Sequence, residues 1–503
     1  MMTRRDAIQQ KFSVVTLDSL MPKDHYLRDV VRLVDFSFIY DLMAPLYSAV
    51  GAPSLDPVLV IKMLLLGFME GIDSERKLCE QVRLNIAYRW FLGLDFDDPT
   101  PEHSAFSQLR RRKFKGTKIF EQIFSNIVKQ CIEYGLIDGR LLMTDSTHVR
   151  ANASNKEHLR VVVVEETPSD YLNRLNARAE MEGIYPKPHR KKETEIPEIN
   201  EAYAEVAEKN AEWQAEGNAK LEAGARLKDV QKKLPDGMKY QLKSETDPDA
   251  GYMGRIGKPQ GFHYLSHQTT DALFGLITDV YVTPGNVTDE SVHSARIKAQ
   301  IRKFGFRPFG ICGDSGYDFS EIHRDMLLRG IRTFIPERKR GSDAEGKFSV
   351  QDFPYDREKD ICTCPNGHKM AYIGYDPRKG AERYKSDPEI CAVCPLREKC
   401  FTGKHPFKEI NRTMDYWAME EQHAMNNGTP AYWAAMRKRK ILCEGNFAIQ
   451  KAGHNLTRTR KRGLGNAFEH CLLSATALNV RRMVRILTSP GRPPEVAASA
   501  TAA

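Results

Sequence analysis

One glutamate is conspicuous for its surroundings. Glu444 lies in Ile441-Leu-Cys-Glu444-Gly-Asn-Phe447-Ala-Ile-Gln-Lys451, a mostly apolar helical run with Arg437, Lys438, Arg439 and Lys440 before it and Lys451 after it. An acid among apolar residues is costly unless it is paired or binds a metal. Two earlier acids sit at the ends of apolar runs, Asp145 in Arg140-Leu-Leu-Met-Thr-Asp145-Ser-Thr-His and Asp314 in Phe309-Gly-Ile-Cys-Gly-Asp314-Ser-Gly-Tyr. Two strand-end aspartates and one helical glutamate, in a basic chain, make a site for two divalent ions acting on phosphodiesters. Carboxylate oxygens are hard ligands and suit Mg²⁺ or Mn²⁺.

The elements around these acids must bring them together. Leu136 to Asp145 reads as a buried strand after a turn at Asp138-Gly139, with Asp145 at its C-terminal end, where the active sites of α/β sheets gather. The polar residues from Ser146 to Asn152 follow as a substrate-binding stretch. Pro259 to Thr270 and Phe274 to Thr283 alternate like two adjacent antiparallel strands. Thr288 is a good N-cap for a helix running to Phe304. A strand then ends at Asp314, a helix covers about Phe319 to Arg329, and Ile331 to Pro336 is a short strand. Three strands, a helix, a strand, a helix and a strand is the order of a ribonuclease-H-like core. Its first and fourth strands are neighbours, which pairs Asp145 with Asp314. The fold class is therefore α/β, a mixed sheet flanked by helices, with an all-α N-terminal domain, a helical insertion and a small zinc-binding insertion.

Residues from about 20 to 135 read as helices. Asp56-Pro57 starts one and Ser74 caps the next. Arg110, Arg111, Arg112 and Lys113 follow one another on a basic helix. One or two of them can reach phosphates while the others face solvent, as in a helix-turn-helix-like unit. From 156 to 245 the chain is rich in Glu, Lys and Ala, with a narrow stripe of Tyr203, Val206 and Trp213. This reads as a charged helical insertion.

Five of the ten cysteines fall between Cys362 and Cys400. Two knuckles separated by a hairpin match a structural Zn²⁺ site. Cys391 and Cys394 can share one ion across their two-residue gap, Cys400 is a partner, and Cys364 completes the set, with Cys362 and His368 as alternates. The other cysteines are small core residues.

On the closing helix, Arg437, Lys440, Glu444 and Lys451 share a face. The loop with Arg458, Arg460, Lys461 and Arg462 is expected to meet a phosphate backbone. A final helix from Asn466 to Leu487 buries Cys471, Leu472 and Leu478 and exposes Arg481, Arg482 and Arg485. The net charge of +9 leans toward a polyanionic partner. No run is long and uncharged enough to span a membrane, and no secretory signal is expected. A cytoplasmic location without disulfides follows.

The ordered set of motifs resembles the DDE transposases of bacterial insertion sequences. It is most similar to the cysteine-containing "eleven-eighty-two" group of the "IS five" superfamily. The resemblance covers residues 20 to 488 and rests on Pro57-Val-Leu-Val-Ile-Lys-Met-Leu, Thr144-Asp145-Ser-Thr-His-Val-Arg-Ala, Thr246-Asp-Pro-Asp-Ala, Gly313-Asp314-Ser-Gly-Tyr, Cys391-Ala-Val-Cys-Pro-Leu-Arg-Glu-Lys-Cys400 and Glu444-Gly-Asn-Phe-Ala-Ile-Gln-Lys451. Arg437 stands where the family has Tyr, and Lys440 where it has Arg. The resemblance implies Asp145, Asp314 and Glu444 as a catalytic triad. It also implies double-stranded DNA partners (terminal inverted repeats and target DNA), a homodimer, and action at the bacterial nucleoid. A non-catalytic DNA-binding regulator and a stand-alone metal-dependent nuclease are the rivals. The chain then divides into a tail at 1–19, a helical DNA-binding and dimerisation domain at 20–135, core segments at 136–155 and 246–338, and the charged insertion at 156–245. The cysteine-rich insertion spans 339–425, the closing helices 426–488 and a disordered tail 489–503.

Overall fold

Asp56 opens the first long helix, Pro57–Met69. Its carboxylate accepts the Leu59 N–H at 3.0 Å and Pro57 takes the first helical position, where a missing N–H costs nothing. Ser74 caps Glu75–Leu84 in the same way. These features belong to a computed structural model that describes residues 14–47, 54–164 except 115, 212–225, 230, 238–254, 260–338, 346–376 except 357, 358 and 360, 381–400, and 406–489 except 414. The helices from Leu17 to Glu133 pack around Pro57–Met69, whose Val60, Ile61, Leu65 and Leu66 are almost fully buried. The last helix, Leu464–Thr488, packs on Pro57–Met69 and Ile119–Glu133 and joins the N-terminal helices to the sheet. Among the described residues, no helix is long and apolar enough to cross a membrane.

The sheet contains β1 (Leu141–Arg150), β2 (His158–Val164), β3 (Met238–Ser244), β4 (Gly251–Met253), β5 (Gly261–Asp271), β6 (Ile277–Pro284), β7 (Gly310–Cys312) and β8 (Arg332–Phe334). The order is β2-β3-β4-β5-β1-β7-β8, with β6 also paired to β5. β1 is antiparallel to β5 and parallel to β7, and β7 is parallel to β8. The fold is thus a mixed sheet flanked by helices, and the first and fourth core strands are neighbours as expected.

Three sequence expectations change. β1 does not stop at Asp145 but runs on to Arg150, because β5 is long enough to pair with all of it. The stretch from Ser146 to Arg150 is therefore strand. β5 is buried along its whole length instead of alternating. It is a central strand covered on both faces, and its polar side chains are met by amides from the covering helices. Gln268 exchanges hydrogen bonds with Gln450 at 2.8 and 3.1 Å, and Thr269 accepts one from Gln300 at 3.0 Å. The third change concerns the charged insertion, which is not wholly helical. Its described ends are the antiparallel pair β2 and β3, and a helix covers 212–222. Trp213 is described, its carbonyl accepting from the Tyr240 hydroxyl at 2.8 Å. Tyr203, Val206 and the tail from Pro490 lie outside the described residues.

The cysteine-rich stretch has its own small core of Phe353, Cys362, Met370, Tyr384 and Ile410. A three-stranded antiparallel sheet of Ala371–Asp376, Ala381–Lys385 and Glu409–Thr413 supports it.

Candidate active site

The register of β1 against β7 sets the position of two acids. The last parallel pair is Met143 with Cys312. Asp145 and Asp314 each stand two residues beyond it, so the period-2 pleat keeps both on one face as the strands part. The residues around Asp314 explain its motif. Its Oδ1 accepts the Gly316 N–H at 2.8 Å, and a Cβ on Gly316 would lie 2.8 Å from that same oxygen. Gly313 leaves room for the Tyr317 ring, 2.9 Å from where a Cβ would be.

Glu444 arrives on the helix Pro430–Gly453, capped by Thr429 with Pro430 at its start. The sheet-facing stripe of this helix is Ala435, Arg439, Cys443, Asn446 and Gln450, at spacings of three and four. Arg439 is therefore the cation that turns inward. It donates to Asp145 Oδ2 at 2.7 Å, and its other terminal nitrogen is 3.7 Å from Glu444 Oε1. Glu444 itself stands on the rim, with its side chain 54% exposed against 16% for Asp145. Arg437, Lys440 and Lys451 are exposed.

Burial pushes the Asp145 carboxyl up to about 6, Asp314 and Asp289 add to the rise, and Arg439 and the Ser146 N–H oppose it. Burial lowers the Arg439 pKa, but Asp145 and Asp314 outweigh it, so the guanidinium is held charged. Asp289 was missed in the sequence. The helix after β6 begins at Glu290 with Asp289, not Thr288, at its N-cap position, and the Asp289 side chain makes no capping bond. It faces the site instead, with Oδ1 at 3.5 Å from His267 Nδ1. His267 is buried and its pKa falls to about 3 through burial and the nearby Arg296, so it stays neutral. The Tyr317 hydroxyl is buried without a hydrogen bond. Burial, then Asp289, Asp145 and Asp314, keep it protonated. Asp145, raised by burial and by the neighbouring Asp314 and Asp289, is a fitting ligand for a hard divalent cation.

The basic residues divide. The helix His103–Leu109 widens into a π-helical turn at Arg110–Phe114. There Arg110 is buried and paired with Glu75 and Glu469, and Lys113 donates to the Leu46 carbonyl at 2.8 Å. Arg110 is therefore withdrawn from solvent, contrary to the sequence expectation, and Lys113 is half-buried, because each meets partners remote in the chain. Arg111 and Arg112 are exposed. The loop of Arg458, Arg460, Lys461 and Arg462 is fastened to the end of β1, where the Arg150 N–H donates to the Thr457 carbonyl at 3.0 Å. Arg460 pairs with Asp73 and Lys461 with Glu75. Arg111 and Arg462 line a common cavity of about 730 Å³. Arg482, expected at the surface, is buried and donates to the Gly275 carbonyl and to Asn446 Oδ1.

Four of the clustered cysteines gather. Cys364, Cys391, Cys394 and Cys400 line a cavity of about 20 Å³ with His368 at its edge. Cys362 does not line this cavity; it is buried and packs on Met370 Sδ at 3.8 Å. The His368 N–H reaches Cys364 Sγ at 3.4 Å.

No curated protein matches the sequence. One solved structure that aligns is titled "Cryo-EM structure of piggyBac transposase synaptic complex with hairpin DNA". It is 8% identical, covers 95% of this chain and 80% of its own, and has a TM-score of 0.34. Residues 15–112 match a family described as "Transposase domain (DUF772)", and residues 363–484 match one described as "Transposase DDE domain". Both ends of the chain thus match transposase families, and together they support a DDE transposase.

Proposed function

We propose that the protein is a transposase of an insertion sequence, of the cysteine-containing group within the "IS five" superfamily. It binds the element's terminal inverted repeats, cuts the DNA ends and joins the freed 3′-OH ends to target DNA. The observation that carries this reading is the β1–β7 register, with Arg439 linking Asp145 to Glu444. The strand order β6-β5-β1-β7-β8 supports a ribonuclease-H-like core, and two matches to transposase families support the class.

In this reading Asp145, Asp314 and Glu444 hold two Mg²⁺ or Mn²⁺ ions. Such a pair, when bound, would supply activation of the attacking oxygen and stabilisation of the leaving oxygen in an in-line displacement. Asp145 and Asp314 supply half-buried carboxylates at the strand ends, and Glu444 closes the site from its rim. Arg439 balances the acid charge and keeps the glutamate helix over the sheet. The exposed Arg111, Arg112, Arg437, Lys440, Lys451, Arg458, Arg460 and Arg462 track the phosphate backbone. Cys364, Cys391, Cys394 and Cys400 hold a structural Zn²⁺. Residues 20–135 bind DNA and pair two copies into a dimer that brings both element ends together, in the bacterial cytoplasm at the nucleoid.

The test is cleavage and joining of a labelled DNA end taken from the inverted repeats beside the coding region, with Mg²⁺ or Mn²⁺. Wild type should nick and join, and Glu444→Gln should do neither. Binding without cutting by the wild type would favour the regulator. Cutting without joining would favour the nuclease, and cutting by Glu444→Gln would remove Glu444 from the triad.

A further inference from the structure

We propose a second, structural metal site for a zinc-class divalent ion, held by Asp318, His323 and His423. Three elements converge there. Asp318 ends the turn that begins at Asp314, His323 lies on the helix Ser320–Leu327, and His423 lies on Tyr416–Asn426. Asp318 Oδ1 is 3.0 Å from His323 Nε2 and 2.9 Å from His423 Nε2, and all three ligand atoms lie within 4.8 Å of one another. Two ligand atoms about 2.1 Å from one ion and at right angles are about 3.0 Å apart. The Asp318 and His323 side chains have no exposure and that of His423 has 12%.

A plain hydrogen-bonded hub accounts for only part of this. His323 fits one: Nδ1 meets Thr333 Oγ1 at 2.7 Å and Nε2 faces Asp318. His423 fits less well, since its buried Nε2 lies 2.9 Å from the carboxylate oxygen but is poorly aligned with it for a hydrogen bond. A buried ring nitrogen left in that state is costly, and a cation would use its lone pair. The supporting contacts are those of a ligand set. Thr333 fixes the His323 ring, and the Arg338 N–H holds the other Asp318 oxygen at 2.9 Å. Partners of this kind orient metal ligands. One carboxylate and two imidazoles suit a zinc-class ion. The ion would tie the Asp314 turn to the helix preceding the one that carries Glu444. That positioning role rests on the proposed function, whereas the metal site does not.

The experiment counts zinc by mass spectrometry in protein purified in Mg²⁺, with folding checked by circular dichroism. His423→Asn should lose one zinc equivalent relative to wild type. An unchanged count would overturn the site and leave a hydrogen-bonded hub. A second variant decides if His423→Asn does not fold. Loaded with Co²⁺, His423→Cys should gain an additional near-ultraviolet thiolate-to-cobalt band at an unchanged cobalt count, and the lack of a new band would overturn the site. Either result stands whether or not the protein cuts DNA.

Discussion

Asparagine in place of Asp145 should stabilise the metal-free protein at neutral pH. Burial, assisted by Asp314 and Asp289 and opposed by Arg439 and the Ser146 N–H, moves this carboxyl from 3.8 to about 6. At 1.36 kcal/mol per pKa unit, the ionised form costs about 3 kcal/mol in the folded state. The sign follows from the direction. An acid whose pKa rises on folding costs nothing below about pH 4, where it is protonated in both states, and its full cost is reached above about pH 6. Asparagine keeps the shape and removes the charge, and Arg439 retains Glu444 nearby. With an unfolding entropy of about 2.1 cal/mol/K per residue, a chain of this size unfolding as one unit would gain about 3 °C. The assay is thermal unfolding in EDTA at about pH 7.5 and pH 5. The gap between Asp145→Asn and wild type should be roughly halved at the lower pH. Saturating Mg²⁺ should then stabilise the wild type and leave the variant unmoved. A variant that melts at or below wild type at pH 7.5, or a gap independent of pH, would refute the stored charge.

The remaining predictions separate structural from DNA-facing charge. Arg110→Met should cost about 3–5 kcal/mol, because Glu469 loses its Arg110 partner and Glu75 keeps only Lys461, while the salt dependence of DNA binding stays unchanged. Arg111→Ala with Arg112→Ala should leave the melting temperature alone and lower the salt slope by about 2, read by titration at several ionic strengths. Arg482→Met strips donors from the Gly275 carbonyl and Asn446 and should cost about 1–3 kcal/mol in denaturant unfolding. Asp289→Asn should reduce cleavage about 10–100-fold with DNA affinity intact, as for residues that support a metal site. Cys394→Ser should lose a zinc that Cys362→Ser keeps, and zinc analysis of both variants checks the assignment.

The acids were legible because both depend on local pattern. An apolar run that ends in Asp predicts a strand, and two such runs in this order of elements predict neighbouring strands. The β1–β7 register then does the rest without any unusual contact. Arg439 was legible in principle, since Ala435, Arg439, Cys443, Asn446 and Gln450 repeat at three and four residues. It was passed over because four cations in a row invite a reading by charge rather than by stripe. Asp289 carried a weaker signal, a second acid beside a better-looking N-cap.

What the sequence hides is long-range pairing of charge. Arg110 finds Glu469, Arg460 finds Asp73, and Arg482 finds the Gly275 carbonyl. None of these pairs shares an element, so periodicity cannot report them. Each forms where the last helix, or the loop before it, lies against an element far back in the chain. A run of consecutive basic residues thus presents fewer cations to solvent than its sequence suggests. Arg110 and Lys113 are turned inward while Arg111 and Arg112 remain outside. A DNA surface drawn from consecutive basic residues alone overstates its own strength. Arg111, which lines one cavity with Arg462, and its exposed neighbour Arg112 are the smaller surface on which the salt-slope measurement should fall.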